Sequence, residues 1–291
     1  MDFMIKLPSI ALPKVEYTRE FAFNDADFER IRKLIYREAG IALNPSKKDM
    51  VYGRLVRRIR ELKLSSFAAY LDQLESASGR REFEQFVNAL TTNLTFFFRE
   101  EHHFPILSEH LKKKAQQGGE LAIWCAAAST GEEPYSIAMT ALESVPGARV
   151  SITATDLDTT VLETGRKGIY PADKIARLPA GHATRFFDKQ GDGSYQAKAA
   201  LRSMISFSRL NLIDSTWPLR KQYDAIFCRN VMIYFDRDTQ LAVLKKFAPL
   251  LKPDGLLFVG HSENFYFAAD LFKLRGKTVY ELAANGAGRS A

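Results

Sequence analysis

Cysteine is scarce in this chain: two among 291 residues, Cys125 and Cys228. Two are too few for a disulfide framework, and both sit in strand-like apolar runs, the pattern of reduced thiols in a cytoplasm. Long apolar runs are missing as well. None approaches the roughly 18–20 residues that cross a bilayer, so no membrane insertion is expected. The apolar bias of the first residues is interrupted by Asp2, Lys6, Pro8 and Pro13, with no cleavage-type end behind it, which argues against a signal peptide. Without secretion, the glycosylation-type triplet Asn93-Leu94-Thr95 has little meaning. The histidines, the His102-His103 pair included, lack ligand partners at useful spacing, so no metal is expected and they read as packing or surface residues. There is no GxGxxG, no convincing Ser-His-Asp arrangement, no internal repeat and no low-complexity tract.

What is present is ordinary for a packed globular protein: 46% hydrophobic and 26% charged residues, enough for one large or two modest domains. A net charge of +7 calls for an acidic or polyanionic partner, and leaves nucleic acid, membrane surface and acidic protein all open. The charge is uneven. Residues 47–63 hold Lys47, Lys48, Arg54, Arg57, Arg58, Arg60 and Lys63 against Asp49 and Glu61.

Residues 1–20 read as an irregular tail, and 21–90 as a helical domain. Asn24 is the expected N-cap of a first helix with Phe28, Ile31, Leu34 and Ile35 on one face and Gly40 at its end. Asn44-Pro45 starts a second helix striped by Val51, Leu55, Ile59 and Leu62. At 100° per residue Lys47, Arg54, Arg57 and Arg58 share one face beside that stripe, either a solvated basic face or a reader of acidic substrate. Residues 91–110 join this domain to alternating strands and helices in 111–291, which argues for a mainly parallel sheet covered on both faces. Residues 185–207, with Gly191-Asp192-Gly193 between strand-like stretches, break the rhythm and read as a small antiparallel insertion. A terminal hairpin is expected around Arg275-Gly276.

The densest signal is LAIWCAAASTGEEPYS at 121–136. A strand-like run ends in small residues, turns through Gly131 and enters a helix carrying Glu132 and Glu133. A second strand, 150–155, then ends in Asp156. This is the layout of a nucleoside-cofactor site in a doubly wound sheet: the small-residue turn admits the ligand, and the acid accepts ribose hydroxyls. Carboxylates at the helix entrance would repel a pyrophosphate, but suit a ligand with a cationic amine and no phosphate, such as S-adenosylmethionine. Asp156 has a competing reading as a helix N-cap, a place Asp158 can fill. Glu132 and Glu133 have one as first-turn acids complementing the helix dipole.

Further blocks follow in order: Asn93-Leu94-Thr95 with Arg99, AAASTGEEPYS at 126–136, ATDLD at 154–158, Leu210-Asn211-Leu212, FCRNVMIYF at 227–235, LLKPDGLLFVGHSEN at 250–264 and RGKTVY at 275–280. Together they closely resemble the CheR-type chemotaxis receptor methyltransferases over nearly the whole chain. The resemblance implies an α/β, Rossmann-like S-adenosylmethionine-dependent methyltransferase domain with a small antiparallel β-subdomain, preceded by an all-helical receptor-binding domain. It implies methylation of glutamates on the cytoplasmic helices of chemotaxis receptors, with S-adenosylhomocysteine as product and no metal. It favours Glu133 for the methionine amino group and sets Asn211 and Leu212 beside the adenine. Asn93, Thr95 and Arg99 are to close over the methionine end, Arg99 orienting a carboxylate. Cys228 and Arg229 end the strand at the crevice, the cysteine through backbone or packing, and Tyr234 lies near the transferred methyl. Lys47, Arg54, Arg57 and Arg58 then become substrate readers. A monomer in the cytoplasm is expected, with a receptor C-terminal tethering peptide as a further partner at the β-subdomain.

Two other readings compete. A nucleic-acid methyltransferase would suit the basic charge, but FCRNVMIY stands where amino methyltransferases carry a Pro-Pro-aromatic motif, and no RNA or DNA module is recognisable. A non-catalytic adaptor would not need candidates at every cofactor position.

Overall fold

The computed structural model describes residues 19–76, 79–91 and 93–284. The expected tail falls almost wholly on residues 1–18, outside the described residues.

Helix α1 (Asp25–Ala39) starts where Asn24 and Asp27 each bond the other's backbone N–H, at 2.9 and 3.1 Å, a reciprocal capping box. It stops at Gly40, whose φ of 69° ends the helix in the left-handed region. A Cβ on Gly40 would meet Ile213 Cγ2 at 2.5 Å, so this helix end lies hard against the second half of the chain. Asn44 caps a single 3-10 turn, Pro45–Lys47, which runs into α2 (Lys48–Glu61). Next come α3 (Phe67–Glu75) and α4 (Arg80–Leu90). Val51, Leu55 and Ile59 meet Ile31, Ile35, Phe67, Tyr70 and Phe86 in one apolar core, with Leu62 packed at its edge.

One acid breaks that core. Glu82 is buried, takes both Arg58 Nε (2.9 Å) and Arg58 Nη2 (2.6 Å), and accepts the Tyr70 hydroxyl at 3.0 Å. Burial, with the Glu82 carboxylate beside it, pushes the Tyr70 phenol well above its ordinary value.

The second half opens with α5 (His103–Ala115), β1 (Leu121–Cys125), α6 (Glu132–Ser144), β2 (Val150–Asp156) and α7 (Thr159–Lys167). There follow β3 (Ile169–Tyr170), α8 (Ala172–Ile175), α9 (His182–Phe186), β4 (Phe187–Lys189), β5 (Tyr195–Ala197), α10 (Ala199–Arg202) and β6 (Ile205–Arg209). The chain closes through β7 (Tyr223–Cys228), α11 (Arg237–Phe247), β8 (Leu251–Val259), β9 (Phe272–Gly276) and β10 (Val279–Leu282). The main sheet runs β6-β2-β1-β7-β8-β10-β9, parallel except for the terminal hairpin. Its strands bury both faces: Ile123, Cys125 and Phe227 enter one core, Trp124, Ile226 and Cys228 the other.

The insertion overlaps the expected 185–207 through β4 and β5 but begins earlier and ends sooner. The antiparallel β3-β5-β4 sheet starts at Ile169 and ends at Ala197, whereas Ile205–Arg209 pairs parallel with β2 as the edge of the main sheet. Strand propensity marks both stretches alike, and only the partner strand separates them.

The helical domain docks through backbone as well as side chains. Ala42 N–H donates to Tyr234 O (2.8 Å), Ile41 bridges Phe235, the Tyr36 hydroxyl reaches Asp236 (2.7 Å), and Asn211 Nδ2 donates to Glu38 O (2.7 Å).

Arg58→Ala strands the buried Glu82 and is expected to cost about 3 kcal/mol of stability in urea unfolding. Pairing Arg58→Met with Glu82→Leu should recover most of that loss, since an apolar pair leaves no buried charge.

Candidate functional site

A cleft enclosing about 930 Å³, its open mouth included, lies between the helical domain and the carboxyl ends of β1, β2 and β7. The turn after β1 makes its floor. Ala126 N–H donates to Phe227 O (2.8 Å) and Ala128 N–H to Thr155 O (2.9 Å), tying the turn to both neighbouring strands. Gly131 follows with φ 100°, and a Cβ there would meet Tyr170 Oη at 2.6 Å and Gly165 Cα at 2.8 Å. Glycine is required on both counts.

The two helix-entrance acids part company here. Glu132 turns beneath the β-subdomain, where it accepts from the Thr130 hydroxyl (2.6 Å) and pairs with Lys174. Glu133 lines the cleft. Its Oε1 accepts from the Cys125 thiol (3.1 Å) and its Oε2 from Arg229 Nη1 (2.7 Å). Burial pushes the Glu133 carboxyl up, and Arg229 works against that rise.

Arg229 is itself buried. Its Nη2 donates to Arg99 O and lies 3.4 Å from Glu100 Oε2. Glu100 also accepts from Asn230 Nδ2 (3.2 Å) and lies 3.0 Å from His261 Nδ1. Burial disfavours its charge, but His261, Arg229 and Asn230 outweigh it and hold the carboxyl at about 2. Among the permanent charges, two carboxylates thus share one guanidinium.

Asp156 ends β2 at the other side of the floor. Its oxygens accept from Ser129 N–H (2.8 Å) and Asp158 N–H (3.0 Å), and burial raises its carboxyl to about 6. Asp158 is the N-cap of α7, bonding Thr160 N–H at 2.8 Å, which leaves Asp156 directed at the cleft.

Asn93, Thr95, Arg99, Asn211, Leu212, Arg229 and Tyr234 also line this cleft. Asn93 Nδ2 donates to Asp158 Oδ2 (2.9 Å), and Arg99 Nη1 donates to Leu94 O (2.8 Å) within its own segment. The Asn211 side chain donates to Glu38 O, and its backbone carbonyl accepts from Trp217 Nε1 (3.1 Å) and Asp214 N–H (3.1 Å). Cys228 is the exception. Its thiol is buried in the apolar core on the opposite face from Cys125, does not line the cleft, and is pushed up by burial, so it packs rather than binds.

The shared basic face is corrected more sharply. Arg54 donates to the carbonyls of Leu90 (2.9 Å) and Thr91 (2.7 Å) at the end of α4, and Arg58 is bound to Glu82 and Glu61. Only Lys47 and Arg57 of the four are exposed. A helical wheel gives the side of a helix, not the helix packed beside it. Glu100, His102 and His103 bring ligand-type atoms within 4.8 Å of one another, a grouping their spacing did not announce. Arg229 lies against the same carboxylate and opposes a cation there. Sequence reasoning also missed Ile41 and Leu90, which the helical domain contributes to the cleft wall, and the Cys125 thiol on Glu133.

The sheet order, the glycine turn and the acid-tipped second strand define an S-adenosylmethionine-dependent methyltransferase of the Rossmann-like class. Residues 93–280 match the CheR methyltransferase SAM binding domain, and residues 26–91 the CheR methyltransferase all-alpha domain. The chain is 50% identical over 279 residues to the chemotaxis protein methyltransferase of Salmonella typhimurium, covering 94% of this chain and 96% of that one. Its counterpart from Escherichia coli is 49% identical over 275 residues, covering 92% and 95%. Chemotaxis protein methyltransferase 2 of Pseudomonas aeruginosa is 46% identical over 283 residues, covering 95% and 100%. The chain belongs to the CheR methyltransferase family.

The pH response of the cleft follows from Asp156. Its carboxyl stands at about 6 in the ligand-free chain, so if Asp156 takes the ribose hydroxyls the ionised form is the better acceptor. Affinity for S-adenosylhomocysteine should be level above pH 6 and fall by up to about tenfold per pH unit below it, and Asp156→Asn should flatten that step. Folding responds with the opposite sign: a carboxyl raised in the native state contributes stability at low pH that is lost as pH rises through 6. Titration calorimetry between pH 5 and 8 measures the first, urea unfolding the second.

Proposed function

We propose that this chain moves the methyl group of S-adenosylmethionine to glutamate side chains on the cytoplasmic helices of methyl-accepting chemotaxis receptors, leaving glutamate methyl esters and S-adenosylhomocysteine. The observation that carries the reading is the buried cluster of Glu133, Glu100 and Arg229, one positive charge short, opposite an acid-tipped strand in a single cleft. Family membership gives the substrate class.

The chemistry asks little proton work of the protein. A solvated glutamate, with a pKa near ~4.3, is ionised at neutral pH and attacks without a general base. The bound cofactor supplies an electrophilic methyl on a sulfonium. The chain's residues supply orientation and exclude water. In this reading Glu133 takes the amino group of the methionine part and Asp156 the ribose hydroxyls. Backbone groups of Asn211 and Leu212 face the adenine. Asn93, Thr95 and Arg99 cover the methionine end, and Arg99 orients a carboxylate by exchanging its bond to Leu94 O for a charged partner. Tyr234, lining the cleft from the far wall, sets the incoming oxygen.

Receptor recognition falls to the exposed part of the basic helix, Lys47 and Arg57, with the small β3-β5-β4 sheet as seat for a receptor C-terminal peptide. No helix among the described residues is long and apolar enough to cross a membrane. A cytoplasmic monomer working on the receptors' cytoplasmic helices fits this reading. Nothing in the family match or the relatives points to a nucleic-acid substrate.

Incubation with labelled cofactor and receptor-bearing membranes tests the reading, because glutamyl esters are released by mild base whereas N-methyl marks persist. Lys47→Glu with Arg57→Glu should leave S-adenosylhomocysteine affinity within about twofold while raising the apparent receptor KM about tenfold or more, and wild-type activity should fall with salt. Normal receptor methylation by the double variant would move recognition off this face.

A further inference from the structure

Glu263 lies outside the cleft lining and in a block, LLKPDGLLFVGHSEN, that the chemistry so far does not use. It is buried, 4% exposed, just beyond the end of β8. Its Oε1 accepts from Val231 N–H (3.0 Å) and Met232 N–H (2.8 Å). Its Oε2 accepts from Asn230 N–H (3.0 Å) and from Gly260 N–H. Three successive backbone donors, 230 to 232, therefore converge on one carboxylate, with Asn230 at φ 58° to turn them inward.

That turn leads straight to Tyr234. The 3-10 turn Met232–Tyr234 begins at the residues Glu263 holds. It is fastened behind by Gln240 Nε2 on Met232 O (2.8 Å) and Phe235 O (3.1 Å), and by Ala42 N–H on Tyr234 O (2.8 Å). The approach is tight: a Cβ on Gly260 would meet Asn230 Nδ2 at 2.4 Å, Asn230 N at 2.9 Å and Glu263 Oε2 at 2.9 Å. A buried carboxylate outside the cleft that satisfies four backbone donors, those of cleft-lining Asn230 and Val231 among them, fixes the path of the chain between β7 and the cleft.

We infer that Glu263 is the positioning residue for Tyr234, locking the Asn230–Met232 backbone so that the tyrosine is presented to the incoming carboxylate oxygen. The inference rests on the reading of Tyr234 given above. Gln in place of Glu263 keeps the size but turns an amide NH2 toward backbone N–H groups, so one pair of donors loses its acceptor. The turn relaxes, and Tyr234 loses its aim while Asp156 at the end of β2 and the Cys125 contact of Glu133 at the end of β1 stay in place.

The experiment is a double-mutant cycle on the full chain with receptor-bearing membranes. Glu263→Gln is expected to lower kcat at least ~tenfold, with receptor KM and S-adenosylhomocysteine affinity within about threefold. In a Tyr234→Phe background the same change should cost less than about twofold, because the residue it acts through is already disabled. An equal loss in both backgrounds would overturn the inference and make Glu263 a general structural acid. Wild-type kcat for Glu263→Gln would overturn it too. A loss with Glu263→Gln beside full activity of Tyr234→Phe would instead remove the tyrosine from the mechanism, and the inference with it. Should Glu263→Gln fail to fold, Gly260→Ala presses on the same Asn230 backbone with the carboxylate kept, and the same cycle with Tyr234→Phe applies.

Discussion

One buried guanidinium organises this molecule. Arg229 reaches from the end of β7 to Glu133 at the entrance of α6, to Glu100 behind it, and to the carbonyl of Arg99 on the segment joining the two domains. Three parts of the chain, remote in sequence, meet at this single buried charge. Removing either carboxylate would leave Arg229 with a single anionic partner and cancel the charge deficit, and removing Arg229 would leave two anions facing each other. The cleft owes both its shape and its charge deficit to this contact. A small-residue turn alone would admit many nucleotides; in the reading proposed above, the deficit is what favours a ligand that carries an ammonium.

The helical domain is part of the same construction. It contributes Ile41 and Leu90 to the cleft wall, and Arg54 holds the carbonyls at the end of α4, where the cofactor segment begins. Backbone contact with Tyr234 closes the far side. Helix α2 and the turn before it thus present two sides, with Lys47 and Arg57 exposed and Arg54 and Arg58 turned toward the rest of the helical domain.

What could be read beforehand was what local geometry dictates. Gly131 announced its turn because a positive φ beside crowded neighbours admits nothing else, and Asn24 and Gly40 marked the ends of α1 through caps a few residues long. Asp156 and Asp158 were separable because one position ends a strand and the other begins a helix. The features that escaped depend on partners far along the chain. Residues 205–207 read as part of the insertion, yet they belong to β6, which lies parallel to β2. Arg58 looked free until Glu82 was found buried next to it. No spacing rule brings Cys125 to Glu133 or Glu263 to Asn230, since those pairs exist only once the sheet is closed.

The central claim is that Glu133, held by Arg229 and Cys125, selects the ammonium of the ligand. Calorimetric binding of S-adenosylhomocysteine and of its deaminated analogue, to the wild-type chain and to Glu133→Gln, tests it most directly. The account predicts that the wild type prefers the amine-bearing ligand by roughly ten- to a hundred-fold and that Glu133→Gln loses most of that preference. Equal affinity of the wild type for the two ligands would contradict it.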